Sequence, residues 1–193
     1  MNSLNSEHEK AHGANWRKWI GHLKDTPALG LELGTWRGES AEWMLENIFT
    51  HPESHYTCAD TFEGSVEHHL AGIDCSQLEQ ETRARLAPFG NRVLIEVGRS
   101  DAVLRWLKTN LDVKPFDFIY VDAAHDALNV LRDAVLAFDL LAEGGVMVFD
   151  DFGWEVMPSE LDRPKIAVEA FVSCYGKQLQ VIGMGWQLAV KRK

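Results

Sequence analysis

Four residues in the second half of the chain have types suited to chemistry. Asp122 and His125 stand in Tyr120-Val121-Asp122-Ala123-Ala124-His125-Asp126, and Asp150 and Asp151 stand in Phe149-Asp150-Asp151-Phe152. Each acidic position follows an apolar run and so falls where a strand stops. Carboxylates gathered at neighbouring strand ends, partly screened from water, repel one another unless a proton or a cation intervenes. Oxygen ligands completed by water suit Mg²⁺, and the absence of a His/Cys cluster argues against zinc. The structural alternative is that Asp122 orders a neighbouring loop while Asp150 and Asp151 cap one. The imidazole of His125, with an unperturbed pKa near ~6.5, is able to accept a proton at neutral pH; its alternatives are stacking on a ligand or capping the next helix.

An earlier stretch carries a different chemistry. Gly30-Leu31-Glu32-Leu33-Gly34-Thr35-Trp36-Arg37-Gly38-Glu39-Ser40 is an apolar strand that reaches an acid and breaks into a glycine turn before a helix. Glycines at 34 and 38 turn sharply without Cβ clashes and leave amides of the following first turn free for an anionic group. Gly34 and Gly38 are four apart and no lysine follows, so neither the dinucleotide G-x-G-x-x-G nor a phosphate loop is present. A nucleotide-dependent oxidoreductase therefore lacks its motif. Asp60, in Ala59-Asp60-Thr61-Phe62-Glu63-Gly64-Ser65, is placed to accept both hydroxyls of a ribose, or else to cap the next helix.

Hydrophobic spacing supplies the elements that position these groups. Trp16, Trp19, Ile20 and Leu23 share a helical face, as do Ala41, Met44, Leu45 and Ile48. Strands are expected at residues 55–59, 92–97, 116–121 and 146–149, ending at Asp60, Gly98, Asp122 and Asp150-Asp151. Helices are expected over 78–86, over the run carrying Leu128, Leu131, Val135 and Phe138, and over that carrying Ala167, Ala170, Phe171 and Cys174. Gly144-Gly145 marks a helix end in this reading. Residues 179–182 and 187–190 close the sheet as a hairpin. Alternating strands and helices specify a parallel sheet with right-handed crossovers, whose ligands bind beyond the strands' carboxyl ends. The expected architecture is a Rossmann-like three-layer α/β/α sandwich with a seven-stranded, mostly parallel sheet and a C-terminal antiparallel hairpin. Residues 1–193 form one domain, with 1–27 as an N-terminal helical extension. The stretches 63–87 and 152–163 overhang the ligand edge, and Trp36, Phe62, Phe152, Trp154 and Met157 are able to wall an acceptor.

Composition narrows the partners. A chain of 193 residues suits one α/β domain, and a net charge of −10 disfavours a nucleic-acid footprint. The three cysteines, Cys58, Cys75 and Cys174, have neither paired nor zinc-like spacing and suit a reducing cytoplasm. The polar start is no signal peptide, and no apolar run spans a bilayer.

The stretch Glu32-Leu33-Gly34-Thr35-Trp36-Arg37-Gly38 resembles the first motif of the class I S-adenosylmethionine-dependent methyltransferases, an acid followed by Gly-x-x-x-Gly. The resemblance implies S-adenosylmethionine as cofactor, held by Glu32, Gly34, Thr35, Trp36, Gly38, Ser40, Asp60, Thr61, Phe62, Gly98, Ser100 and Asp122. Gly98-Arg99-Ser100-Asp101 resembles the family's adenine-side loop, where Ser100 contacts the base or caps the helix that Val103, Leu104 and Leu107 outline. Asp122, Asp150 and Asp151 match the metal positions of the small metal-dependent O-methyltransferases, the catechol and macrocin-type branch, and imply Mg²⁺. The macrocin-type branch has an acid two residues after the first metal acid, where this chain has Ala124. The catechol branch has a basic lysine one place later, where this chain has His125, which becomes the expected base beside Asp122. The implied activity is O-methylation of a hydroxyl on a small sugar, polyketide or phenol. A metal-independent methyltransferase and a catalytically silent S-adenosylmethionine-binding partner protein are the alternatives, and a homodimer is compatible with any of them.

Overall fold

The computed structural model describes residues 12–110, 114–155 and 159–193. Its strands are β1 (Leu29–Leu33), β2 (His55–Asp60), β3 (Val93–Val97), β4 (Phe116–Val121), β5 (Leu141–Phe149), β6 (Leu179–Met184) and β7 (Leu188–Arg192). They form one seven-stranded sheet in the order β3-β2-β1-β4-β5-β7-β6. β1 to β5 run parallel, and β7 enters antiparallel between β5 and β6. The helices are α1 (Ala14–Ile20), α2 (Glu39–Asn47), α3 (Val66–Leu70), α4 (Leu78–Leu86), α5 (Ser100–Thr109), α6 (Ala127–Phe138) and α7 (Pro164–Tyr175).

Alternation along the strands sends side chains to two cores. Leu31, Leu33, Ile119, Val121, Met147 and Phe149 pack with Leu104, Ala134 and Phe171 of α5, α6 and α7. Tyr56, Cys58, Phe118, Tyr120 and Val148 pack on the other face with Trp16, Ile20, Trp43 and Met44 of α1 and α2. The sheet is thus the middle of three layers. Each fully buried large side chain contributes about 1.5–3 kcal/mol, so Trp16 and Trp43 tie α1 and α2 firmly to the sheet. No helix among the described residues is long and apolar enough to cross a membrane.

Three local expectations are corrected. Gly144 and Gly145 lie inside β5, not at a helix end: Gly144 takes φ +75°, and the pairing slips from Phe116↔Leu141 to Phe118↔Val146. The extra residues bulge out of the ladder there, which only a glycine-rich stretch does cheaply. On α6, Leu128 and Val135 are exposed, and the buried stripe is Val130, Asp133, Ala134, Ala137 and Phe138. Small alanines let the helix lie close to the sheet, so counting large apolar residues selects the wrong face. On α7, Ala170 and Cys174 likewise face solvent, while Pro164, Ala167, Val168 and Phe171 are buried.

Candidate active site

The strand ends converge on a cavity of about 330 Å³. Gly34, Trp36, Asp60, Thr61, Gly98, Ser100, Asp122 and His125 line it. Glu32, Thr35, Gly38, Ser40 and Phe62 are buried outside this lining. The cavity follows the sheet, from the end of β3 at Gly98, past Asp60 on β2 and Gly34 on β1, to Asp122 on β4.

The glycine turn is tied down by the neighbouring strand. The Thr35 and Trp36 amides both donate to Asp60 Oδ2 at 2.7 Å, and the Phe62 amide donates to Oδ1 at 2.7 Å. Asp60 thus supplies an anion from within the chain to the amides of the glycine turn itself. Gly34 has φ +85°, and a Cβ there would lie 1.9 Å from the carbonyl oxygen of Asp122. Only glycine permits β1 and β4 to end side by side at this point. Below the turn, the Ser40 hydroxyl donates to Glu32 Oε1 and the Cys58 thiol lies 3.9 Å from Oε2. Burial pushes the Glu32 carboxyl up to about 8, the Ser40 bond opposes that rise, and the Asp60 charge adds to it. Glu32 thus anchors the start of α2 from beneath.

The acids divide into two groups. His125 Nε2 lies 3.1 Å from Asp151 Oδ2 and 4.0 Å from Asp122 Oδ1. Ligand-type atoms of Asp122, His125 and Asp151 all fall within 4.8 Å of one another. Asp150 is turned elsewhere: its Oδ1 accepts the Tyr120 hydroxyl at 2.6 Å and the Gln187 side-chain amide at 2.5 Å. The trio brought together is therefore Asp122, His125 and Asp151, with Asp150 behind it. Burial, followed by the charges of Asp150 and Asp151, holds the Asp122 carboxyl well above the usual range. The His125 ring meets Trp154 edge-on, with centroids 4.2 Å apart.

The expected aromatic wall separates into parts. Trp36 stacks on His68 at 3.7 Å between centroids, so the 63–87 stretch reaches the cavity through Gly64, Ser65 and His68. Phe62 is buried. Phe152 and Trp154 line a second cavity of about 290 Å³ with Ile166 and Lys165, and Met157 lies outside the described residues.

Four polar residues of this region escape a reading by motif. His68 reaches the cavity through a ring stack between separate loops. Tyr120 reads as one more apolar strand position, and Gln187 reaches Asp150 because Leu188 pairs with Phe149. Asp133, buried and bonded to Ser100, was hidden inside an amphipathic helix pattern.

A methyltransferase domain family matches residues 31–152, from the first strand through the acid pair. This chain belongs to that methyltransferase family. No curated protein matches the methyltransferase in sequence. An O-methyltransferase from Bacillus cereus, solved in complex with SAH, is similar over 100% of this chain and 92% of that one, at 19% identity and a TM-score of 0.68. TomG from Streptomyces achromogenes, an O-methyltransferase involved in tomaymycin synthesis and solved with SAM, is similar over 100% and 91%, at 19% identity and a TM-score of 0.67. MycE of the mycinamycin pathway, solved with Mg and SAH, is similar over 100% of this chain and 55% of that one, at 13% identity and a TM-score of 0.64. These three share the methyltransferase's class I fold.

Proposed function

We propose that this methyltransferase moves the methyl group of S-adenosylmethionine to a hydroxyl of a small molecule, with Mg²⁺ held at the carboxyl ends of β4 and β5. The observation that carries the reading is the continuity of one cavity from Asp60 and Ser100 to Asp122 and His125, next to a second carboxylate, Asp151. Asp60 sits where a ribose would lie, the Gly34 turn allows close approach of a ligand to the backbone, and Trp36 covers one side. S-adenosylmethionine, when bound, supplies a methyl group on a cationic sulfur, which a hydroxyl oxygen attacks in line.

The acidic trio fits a hard cation. Burial, followed by the charges of Asp150 and Asp151, raises Asp122, and a cation relieves that repulsion. Asp122 and Asp151 would hold a divalent ion, whose charge would lower the pKa of an acceptor hydroxyl. Asp150, fixed by Tyr120 and Gln187, holds its negative charge behind the site and keeps the end of β5 in place. His125 presents Nε2 to the gap between the two carboxylates, 3.1 Å from Asp151 Oδ2; with Asp151 turned to a cation, the lone pair of that nitrogen would take the acceptor's proton. The 4.8 Å grouping favours a second reading in which His125 is itself a metal donor. The second cavity, adjoining through Trp154, is where we place the acceptor. The unpaired spacing of the three cysteines supports a cytoplasmic enzyme.

Calorimetric titration with S-adenosylhomocysteine, with and without Mg²⁺, tests this function. The expected result is binding in both conditions, and methyl transfer to a hydroxylated acceptor only with the metal. Absence of binding overturns the cofactor reading; binding without any turnover across sugar, polyketide and phenolic acceptors supports a silent scaffold.

A further inference from the structure

Asp133 is a buried carboxylate that the proposed chemistry does not use. It lies on the sheet-facing stripe of α6, among Val130, Ala134 and Ala137, and is 1% exposed. Its Oδ1 accepts the hydroxyl of Ser100 at 2.9 Å, and among the described residues Oδ2 has no partner. A buried carboxylate with one hydroxyl partner costs stability, so packing does not account for it. Burial raises the carboxyl to about 6, opposed by the Ser100 bond and reinforced by the Asp101 charge. At neutral pH the group is therefore ionised and able only to accept.

That fixes the direction of the Ser100 hydroxyl. A serine normally turns its hydrogen to suit its ligand. Here the hydrogen is committed to Asp133, and Ser100 Oγ has only lone pairs left to offer. Ser100 lines the cavity at the end of β3, with Asn129, one helical turn before Asp133, lining it as well. Since Asp60 on β2 takes the ribose and the reacting end lies at Asp122 on β4, the β3 end receives the base.

We propose that Asp133 is a positioning residue that makes Ser100 an obligate acceptor, so that the cavity selects a purine carrying a 6-amino donor and rejects its 6-oxo counterpart. The proposal rests on the S-adenosyl reading of the cavity and deepens it. The 6-oxo group would set one acceptor against another in a partly buried site, the arrangement that gives polar pockets their strongest discrimination.

The test is a calorimetric titration of the full chain with S-adenosylhomocysteine and with S-inosylhomocysteine, its 6-oxo counterpart. In the parent the amino ligand should bind about 10–100-fold more tightly. Asp133→Leu frees the Ser100 hydroxyl to donate, and the ratio should fall to within about threefold, mostly through tighter binding of the oxo ligand. Ser100→Ala, a change at the half-buried first residue of α5, should narrow the ratio by weakening the amino ligand and relieving the clash with the oxo ligand. A parent that binds S-adenosylhomocysteine, with a ratio that neither variant alters or with both ligands weakened equally, overturns the positioning role. A parent that does not bind S-adenosylhomocysteine overturns the cofactor reading, and this inference with it.

Discussion

The two halves of the site are held together by different means. On the β1 and β2 side the geometry is main-chain geometry: Gly34 and Gly38 at positive φ, and Asp60 collecting the amides of Thr35, Trp36 and Phe62. On the β4 and β5 side it is side-chain charge: Asp122 and Asp151 beside one histidine, with Asp150 behind them. In the first half Asp60 supplies the anion for three turn amides from within the chain. The second is a cluster of like charges that a cation or protons must balance. Under the proposed function, a preformed cofactor side and a charge-frustrated acceptor side predict cofactor binding that is independent of metal and turnover that is not.

Removing the metal is the sharpest way to break this contrast. With excess chelator, methyl transfer should fall by about 10³-fold or more, while the affinity for S-adenosylhomocysteine stays within about threefold. Turnover with a radiolabelled methyl donor and calorimetry on the same sample give both values. Undiminished turnover would move the enzyme to metal-independent chemistry.

His125→Ala should come next in size, lowering turnover by about 10²–10⁴-fold with cofactor affinity unchanged. Mn²⁺ binding, followed by electron paramagnetic resonance, divides the two roles of the residue. A base leaves metal affinity as it was, whereas a metal donor takes at least about tenfold of it away when removed.

Asp60→Ala acts on the other half. It removes the ribose acceptor and strands three buried or half-buried amides at once. S-adenosylhomocysteine should bind about 100-fold more weakly, and stability should drop by about 1–3 kcal/mol in urea titrations. Loss of stability with full cofactor affinity would assign Asp60 to loop anchoring alone.

The same division decides what was legible in the sequence. Positive-φ glycines and acids at strand ends are dictated by backbone sterics and by the strand pattern, so Gly34, Gly38, Asp60 and Asp122 could be picked out by position. The parallel run of strands and the closing hairpin followed from the alternation of elements. The partners of charges could not be read this way. That Asp150 turns to Tyr120 and Gln187, while His125 takes its place beside Asp122 and Asp151, depends on contacts between β4, β5 and β7 that no local spacing encodes. The buried face of α6 was missed for a related reason. Ala134 and Ala137 pack closely because they are small, whereas periodicity gives weight to large residues such as Leu128, which is exposed.

Glu32 lies between the two halves, feeling both Asp60 and Asp150, and its effect is on stability rather than on turnover. Its carboxyl is pushed up from 4.5 to about 8, chiefly by burial, so the folded protein holds a proton that the unfolded chain has released across this window. The associated stability is fully present below the unfolded value and is lost as pH rises through the folded one, a change on the order of a few kcal/mol. Glu32→Gln replaces the protonated acid by a neutral group of the same shape that still accepts the Ser40 hydroxyl. At or below pH 4.5, where the carboxyl is neutral in both folded and unfolded chain, its stability should lie within about 1 kcal/mol of the parent; at pH 7 the variant should be the more stable by a few kcal/mol, because it takes up no proton on folding. Urea titrations at acid and alkaline ends of the window should show a decline in the parent that is much reduced in the variant. A parent whose stability instead rises across that window would mean that Glu32 is ionised in the folded protein, and that the charge frustration of the acceptor side extends beneath the glycine turn.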